Sequence, residues 1–262
     1  MNLRVKTNYE ELIIEVVVRT ASPQRIRIKA YDEEKTKAVY TDRYMTVNGM
    51  QRFIIRMPLS RKYTIVEVYN EANGNLSKGQ DPSFKVLKLK KLPLVKRTDV
   101  SDIRDVDVRN FVDLAQRFAF NSSYLKTNEV YKSQNGKFLI DYLPYITSNR
   151  TGQKLATPAR ISAYNGHIQI SKEGFDKYTV PMRMAILLHE YAHFYRNRVK
   201  SSEIEADLNA LLIYLSLGYP RIEAYQAFLE VFKGTPSPQN KQRYDILNKF
   251  IRDFENKKMI LN

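Results

Sequence analysis

The pentapeptide HEYAH at 189–193 constrains this chain more than any other stretch. Residues four apart on an α-helix lie on the same face, so His189 and His193 can hold one metal ion if this segment is helical. Glu190 lies one step around the helix, where its carboxylate can reach a water beside the metal. The chain has only three histidines in 262 residues, and two fall in this motif. The motif therefore predicts a helix that carries a metal site.

The flanking sequence supports this helix and predicts a second one. Pro181 suits a first helical turn, and the residues at 182–188 are apolar and form helices readily. Ser202 is a candidate N-cap for a following helix, on which Glu203 and Asp207 are again four apart. Zinc held by two histidines and one glutamate, with an open fourth position, is a catalytic arrangement. Asp207 would accept a hydrogen bond from the outer nitrogen of a ligand histidine.

HEYAH at 189–193 followed by EIEAD at 203–207 resembles the signature of the gluzincin clan of zinc metallopeptidases, HExxH on one helix and ExxxD on the next. The resemblance covers roughly residues 105–235. It implies that His189, His193 and Glu203 bind Zn²⁺. It also implies that Glu190 is the general base and that Asp207 supports a ligand histidine.

The interval between the two motifs is short, because only nine residues separate His193 from Glu203. We therefore expect the two helices to form a tight antiparallel pair. The short interval leaves Glu205 as an alternative third ligand. On a regular helix its side chain points about 200° away from that of Glu203, so both cannot serve. We favour Glu203.

A strand is predicted just before the first motif, at 163–171, after an Asn-Gly turn signal. Its alternation places Ile168 and Ile170 in the core and Gln169 towards the cleft or solvent. The resemblance to zincins implies that this strand forms the edge of the sheet above the cleft. A peptide substrate would add to that edge through backbone hydrogen bonds.

Side chains that could stabilise an oxyanion are harder to select. His167, in the turn before this strand, is one candidate, although a lone turn histidine is more often simply exposed. Tyrosines near the motifs are the other candidates, but 18 tyrosines in the chain make any choice weak. These tyrosines are Tyr191, Tyr195, Tyr214 and Tyr219.

The first 90 residues have a different pattern, with β-branched segments and turn signals but no histidine. The segments are 12–19, 25–31, 52–57 and 63–69, and the turn signals are Ser22-Pro23, Asn48-Gly49 and Asn73-Gly74. Short strands without helices between them predict an antiparallel β-sandwich, immunoglobulin-like in general form. We therefore expect an α+β protein with two domains. Residues 1–95 would form a docking sandwich, and residues 96–262 a zincin-like domain with a small sheet and several helices.

The remaining segments complete this prediction. Residues 84–97 join the halves, beginning with a strand that Pro93 ends. Apolar spacing predicts a helix over 101–121, and residues 129–146 have the pattern of a hairpin around Asn135-Gly136. Two further helices are expected at 221–232 and 239–257.

Composition restricts the partners and the location. A net charge of +15 is compatible with an acidic partner, such as an anionic membrane, an acidic protein or nucleic acid bound without sequence specificity. No apolar run is long enough to cross a membrane. The absence of cysteine excludes disulfides and thiolate zinc sites. Because residues 1–6 lack the apolar core of an export signal, we expect a location in the cytoplasm or within a virus particle.

Two classes of function fit these observations. The first is a zinc endopeptidase in which Glu190 activates a water, acting on a protein or peptide substrate. The second is a structural or assembly protein, for example a phage virion component, whose domains are chiefly interaction modules. The intact Glu190 favours the enzyme, because a purely structural zinc has no use for that glutamate.

Overall fold

The computed structural model describes residues 1–76, 81–96, 104–234 and 237–255. The protein is a mixture of helices and strands, and it divides into two compact units. One comprises Met1–Lys96 with Gly218–Pro220, and the other comprises Arg97–Leu217 with Arg221–Asn262. Among the described residues, no helix is both long enough and apolar enough to span a bilayer.

The first unit contains an antiparallel sheet, as the sequence predicts. Its strands are β1 (Asn2–Lys6), β2 (Leu12–Asp32), β3 (Val39–Met57), β4 (Tyr63–Asn70) and β5 (Phe84–Pro93). They are hydrogen-bonded in the order β1-β4-β2-β3, and β5 pairs with the first half of β2. Pro93 ends β5, in agreement with the prediction.

The five strands form one hydrogen-bonded sheet, whereas the sequence suggested the two separate sheets of a sandwich. The difference arises because Ser22-Pro23 and Asn48-Gly49 lie inside the long strands β2 and β3 and do not form turns between strands. Thr20 pairs with Gly49 and Gln24 with Val47, so three residues of β2 face one residue of β3. A β-bulge of this kind tolerates Pro23, which lacks an N–H group, and Gly49 has the positive φ of 77° that the irregularity requires.

The buried face of this sheet is continuous across the bulge. The bulge adds an even number of residues to β2 relative to β3, so the alternation between the two faces keeps its phase. The even-numbered apolar residues of β2 are all at most 3% exposed. They are Leu12, Ile14, Val16, Val18, Ile26, Ile28 and Ala30. One alternating pattern therefore builds the core of the whole unit.

The second unit holds a smaller sheet and six helices within its described residues. The helices are α1 (Val106–Asn121), α2 (Lys172–Phe175), α3 (Val180–Tyr195), α4 (Glu203–Ser216), α5 (Arg221–Gly234) and α6 (Pro238–Glu255). The strands are β6 (Glu129–Lys132), β7 (Leu139–Leu143), β8 (Ala159–Ile161) and β9 (Ile168–Ser171). The predicted hairpin is present as β6 and β7.

The helix predicted to begin at residue 101 begins at Val106, because Asp105 caps it. The Asp105 side chain accepts a hydrogen bond from the backbone N–H of Asp107 at 2.7 Å. Residues 101–103 lie outside the described part of the chain, as do residues 256 and 257 of the last predicted helix.

The strand order β6-β7-β9-β8 corrects one prediction. The strand just before the motif helix, β9, lies in the interior of the sheet, between β7 and β8, and is not an edge. Ile168 and Ile170 are buried in the core as predicted. The edge strand next to β9 is β8. It is only three residues long and therefore too short to show a period of two in the sequence.

A buried arginine fixes the beginning of α3, the helix that carries HEYAH. The Arg183 side chain is 1% exposed, and besides a long hydrogen bond to the Asp176 carbonyl oxygen at 3.5 Å its guanidinium donates to three neighbours from different segments. These are the carbonyl oxygens of Phe175 (3.2 Å) and Ala119 (3.1 Å) and the hydroxyl of Ser123 (2.9 Å). A buried cation needs such partners, so these contacts hold α3 against the end of α1 and against α2.

We expect a fragment ending at Val95 to fold without metal. Its core comes from alternating strand residues, and none of the residues predicted to bind metal lies in it. Far-ultraviolet circular dichroism should show a β-sheet spectrum that zinc and chelators leave unchanged. A spectrum of a disordered chain would contradict this expectation. In the full-length protein, a chelator should destabilise only the second unit, because a ligand stabilises only the unit that binds it.

Candidate metal centre

His189, His193 and Glu203 lie together where the last two turns of α3 meet the first turn of α4. The Nε2 atoms of the two histidines are 3.1 Å apart. The Glu203 carboxylate lies beside both, with Oε2 3.5 Å from His189 Nε2 and Oε1 3.4 Å from His193 Nε2. One ligand atom from each residue falls within 4.8 Å of the others, so this group could hold a metal ion. It combines the two motifs that the sequence singled out.

The outer nitrogens of both histidines face hydrogen-bond acceptors. His189 Nδ1 lies 2.9 Å from Asp207 Oδ1, and His193 Nδ1 lies 2.8 Å from the backbone oxygen of Lys200. A carboxylate and a carbonyl oxygen only accept hydrogen bonds, so both neighbours favour a hydrogen on Nδ1, although His189 Nδ1 is not aligned with Asp207 for a full hydrogen bond. A metal that replaces the proton of the cluster would meet the lone pairs of both Nε2 atoms.

This arrangement fits a cation. The 3.1 Å between the two Nε2 atoms is a hydrogen-bond distance, so a proton on one nitrogen, or a metal cation in its place, offsets the repulsion of the lone pairs and the neighbouring carboxylate. Two imidazole nitrogens and one carboxylate oxygen form a donor set that suits zinc. The contacts at the outer nitrogens resemble those that orient metal-binding histidines in general.

The charges around the cluster favour a positive occupant as well. Burial by itself lowers the pKa of His189, but the carboxylates of Asp207 and Glu203 outweigh it and raise that pKa to about 10. Contact with the two histidines holds the pKa of Glu203 well below its usual range. Glu203 is therefore ionised at neutral pH, as a metal ligand must be.

Arg243 in α6 completes the cluster, and sequence reasoning did not identify it. Its Nε lies 2.7 Å from Asp207 Oδ2, and its Nη2 lies 3.0 Å from Asp207 Oδ1 and 3.1 Å from Glu203 Oε2. The Asp207 side chain is 1% exposed, so its charge requires a close cation. Arg243 therefore fixes both the carboxylate that orients His189 and the carboxylate predicted to bind metal.

Glu190 points into the same cavity but is not part of the cluster. Its carboxylate accepts a hydrogen bond from the backbone N–H of Ile161, in the edge strand β8. Burial raises the pKa of Glu190 above its ordinary value. A carboxylate with a raised pKa is suited to accept and release a proton near neutral pH.

The cavity beside the cluster has a volume of about 400 Å³. One wall is apolar and is formed by α3 and α5, through Ala185, Ile186, Ala227 and Phe228. The residues 157–161, which include β8, form another part of the lining. The cavity is large enough for a side chain or a short peptide segment, and it opens beside Glu190.

The structure separates the two candidates for the third ligand. The Glu205 carboxylate accepts hydrogen bonds from the backbone N–H groups of Arg198 (2.9 Å) and Val199 (3.2 Å). It therefore stabilises the turn between α3 and α4, while Glu203 faces the histidines. The cap predicted at Ser202 is present, since its hydroxyl accepts from the Glu205 backbone N–H at 3.2 Å.

The other candidate residues lie away from the cluster. His167 and Gln169 line a separate groove, where Gln169 Oε1 accepts from Arg160 Nε at 2.7 Å. Tyr214 is fully buried, and Tyr191 stacks on Phe111 with ring centroids 4.2 Å apart. None of the four lines the cavity beside Glu190, so their predicted contacts with substrate gain no support.

No protein-family model, curated protein or solved structure matches this chain. The interpretation of the site therefore rests on its motifs and its geometry.

We expect the purified protein to bind one zinc ion, and His189→Ala to abolish this binding because it removes one of three ligands. Glu205→Gln is the matched control, since it keeps an acceptor for the turn between α3 and α4. Inductively coupled plasma mass spectrometry after zinc loading and desalting gives the stoichiometry. A wild-type protein without metal would contradict the assignment, and loss of zinc in Glu205→Gln alone would move the third ligand to Glu205.

Asp207→Asn should weaken zinc binding about 10- to 100-fold without abolishing it, as is usual when the partner of a ligand histidine changes. The amide still accepts from His189 Nδ1 but no longer neutralises Arg243. Competition with a fluorescent zinc chelator measures the affinity. An unchanged affinity in a folded variant would show that the Asp207 contact does not orient the ligand.

Proposed function

We propose that the second unit is a zinc-dependent endopeptidase with His189, His193 and Glu203 as ligands and Glu190 as general base. One observation carries the proposal: the Glu190 carboxylate shares a cavity with the cluster and is held by the backbone of an edge strand. A metal site that only stabilises a fold needs its ligands alone. A free carboxylate with a raised pKa beside those ligands is what hydrolysis requires.

The residues of the cluster would orient the metal. Asp207 and the Lys200 carbonyl lie beside the Nδ1 atoms, so the Nε2 atoms would be the ones that bind the metal, and Arg243 holds Glu203 in place. A zinc ion in this site supplies Lewis acidity, which polarises a peptide carbonyl and acidifies a water molecule.

Glu190 transfers the proton in this mechanism. Its carboxylate takes a proton from the attacking water and passes it to the nitrogen of the departing amine. The Ile161 N–H faces the carboxylate, which lines the cavity, and favours its ionised form. The balance between burial and this hydrogen bond would set the pKa at which the transfer occurs.

A peptide substrate is supported by the edge strand β8. Ser171 N–H bonds Pro158 O and Ser162 N–H bonds His167 O, both at 2.9 Å, which places residues 158 and 162 at paired positions. In an antiparallel pair the intervening residues 159 and 161 then direct their backbone groups away from β9. Ile161 lines the cavity, and its N–H faces Glu190, so its backbone carbonyl is the group to which an extended peptide could add.

The first unit has a different role in this proposal. It contains none of the cluster residues, and we assign it to docking. The charge and polarity of its surface determine which kind of partner it binds. The alternative remains a structural or assembly protein, such as a virion component, in which both units are interaction modules.

Glu190→Gln should retain zinc and the fold while reducing peptide hydrolysis by at least about a hundredfold, the usual scale for the loss of a general base. Mass spectrometry of a peptide library incubated with zinc-loaded protein measures cleavage. Glu129→Gln, an exposed position on β6, is the matched control and should cleave as the parent does.

Two outcomes would contradict this mechanism. Equal cleavage by Glu190→Gln and the parent would show that another group is the base. If zinc-loaded parent cleaves no peptide and no part of its own chain, the peptidase proposal fails and the structural alternative gains support.

A further inference from the structure

The outer face of the first unit carries a concentration of positive charge. Where β2 pairs with both β3 and β5, four rows of three residues face away from the buried side. We call this surface the basic face. Its rows are Met50–Arg19–Lys85, Arg52–Val17–Lys88, Ile54–Glu15–Lys90 and Arg56–Ile13–Leu92.

Six of these twelve side chains are cations and one is an anion. Glu15 is the anion, and it is shared between Arg52 Nε at 2.5 Å and Lys88 Nζ at 3.0 Å. Those two cations cover it, leaving it 5% exposed. Among the described residues, no carboxylate pairs with the other four cations of the face, Arg19, Arg56, Lys85 and Lys90. Glu11, just before β2, is paired with Lys96 at 2.5 Å.

The cations are available to a partner. Arg19, Arg52, Lys85, Lys88 and Lys90 are exposed. Arg56 is half-buried. Arg19 and Lys85 are directly opposite each other on β2 and β5, and like charges in that position destabilise a sheet. A partner with closely spaced negative charges would remove the repulsion.

We propose that the basic face binds the phosphate backbone of double-stranded nucleic acid without sequence specificity. At ordinary strand and residue spacings the face extends over about 10 by 20 Å. A duplex presents roughly a dozen phosphates over 20 Å of its axis, so regularly repeated anions can meet several of these cations at once. Because the phosphates repeat regularly, these contacts do not depend on the base sequence of the duplex.

The composition of the face favours a duplex over other polyanions. None of its twelve positions is aromatic, so single-stranded bases have no ring on which to stack. None is Asn, Gln, Ser or Thr, which leaves few groups for reading bases in a groove. Ile13, Val17, Ile54 and Leu92 are half-buried, and of the apolar side chains of the face only Met50, in an end row, protrudes. Binding to a bilayer depends on several protruding apolar side chains.

The test is the salt dependence of binding to a fluorescent 20-base-pair DNA duplex, measured by anisotropy with the full-length protein. If the four unpaired cations each neutralise one phosphate, the logarithm of the affinity should fall with the logarithm of salt with a slope of about −4. Affinity should then fall roughly a hundredfold between 50 and 200 mM salt. A single strand of the same length should bind more weakly.

A matched pair of variants isolates the face. The face variant carries Arg19→Gln, Arg56→Gln, Lys85→Gln and Lys90→Gln. The control removes the same charge from exposed positions of the second unit, by Arg109→Gln, Lys126→Gln, Arg150→Gln and Lys177→Gln. Both lower the net charge of +15 by four. The face variant should lose at least about tenfold in affinity and most of the salt slope, while the control keeps both.

A smaller variant guards against misfolding. Lys85→Gln with Lys90→Gln changes only exposed side chains of the edge strand β5 and should reduce the magnitude of the slope by about 2. The proposal is overturned if the parent does not bind the duplex at 50 mM salt, or if the face variant and the control bind equally. Tighter binding to poly-glutamate or to anionic vesicles than to the duplex would also overturn it. Glu190→Gln should bind as the parent does, so this test is independent of peptidase activity.

Discussion

The Asp207 carboxylate is the contact on which the candidate site depends. It is almost fully buried between His189 of α3 and Arg243 of α6, while Asp207 itself belongs to α4. One charge thus lies in contact with a histidine and an arginine and connects three helices. An isolated carboxylate would be expensive in this environment, and its two partners make it stable. The geometry of the two Nε2 atoms follows from this arrangement.

The cavity depends in turn on how the sheet meets α3. Glu190 follows His189 in the chain, yet its partner is the backbone of β8, so helix and edge strand must keep a fixed separation. Arg183 contributes to this from the other end of α3, where its three hydrogen bonds fix the start of the helix. The histidines and the base are consequently supported at both ends of one rigid element, which is a common requirement for precise placement of reacting groups.

Features that arise within one helix or strand could be predicted from the sequence. Contacts between distant segments could not. The caps at Ser202 and Asp105, the paired residues four apart and the alternation in β2 all arise within one element. Arg243 could not be found, because nothing in a lysine- and arginine-rich sequence marks which cation faces Asp207. The buried state of Asp207 would have been the signal. The bulge around Pro23 was misjudged since a proline-containing turn and a proline-containing bulge have similar sequences.

The length of β2 has a consequence for how the first unit folds. This strand pairs with β3 along nearly its whole length, with β4 in its second half and with β5 in its first half. Every strand except β1 pairs directly with β2, so loss of β2 breaks most of the sheet, and the unit should lose its structure in a single cooperative step. Thr20 pairs with Phe84, so closing this part of the sheet brings together residues that are far apart in the chain. Contacts this distant in sequence are formed slowly, which places the unit among slow-folding all-β proteins.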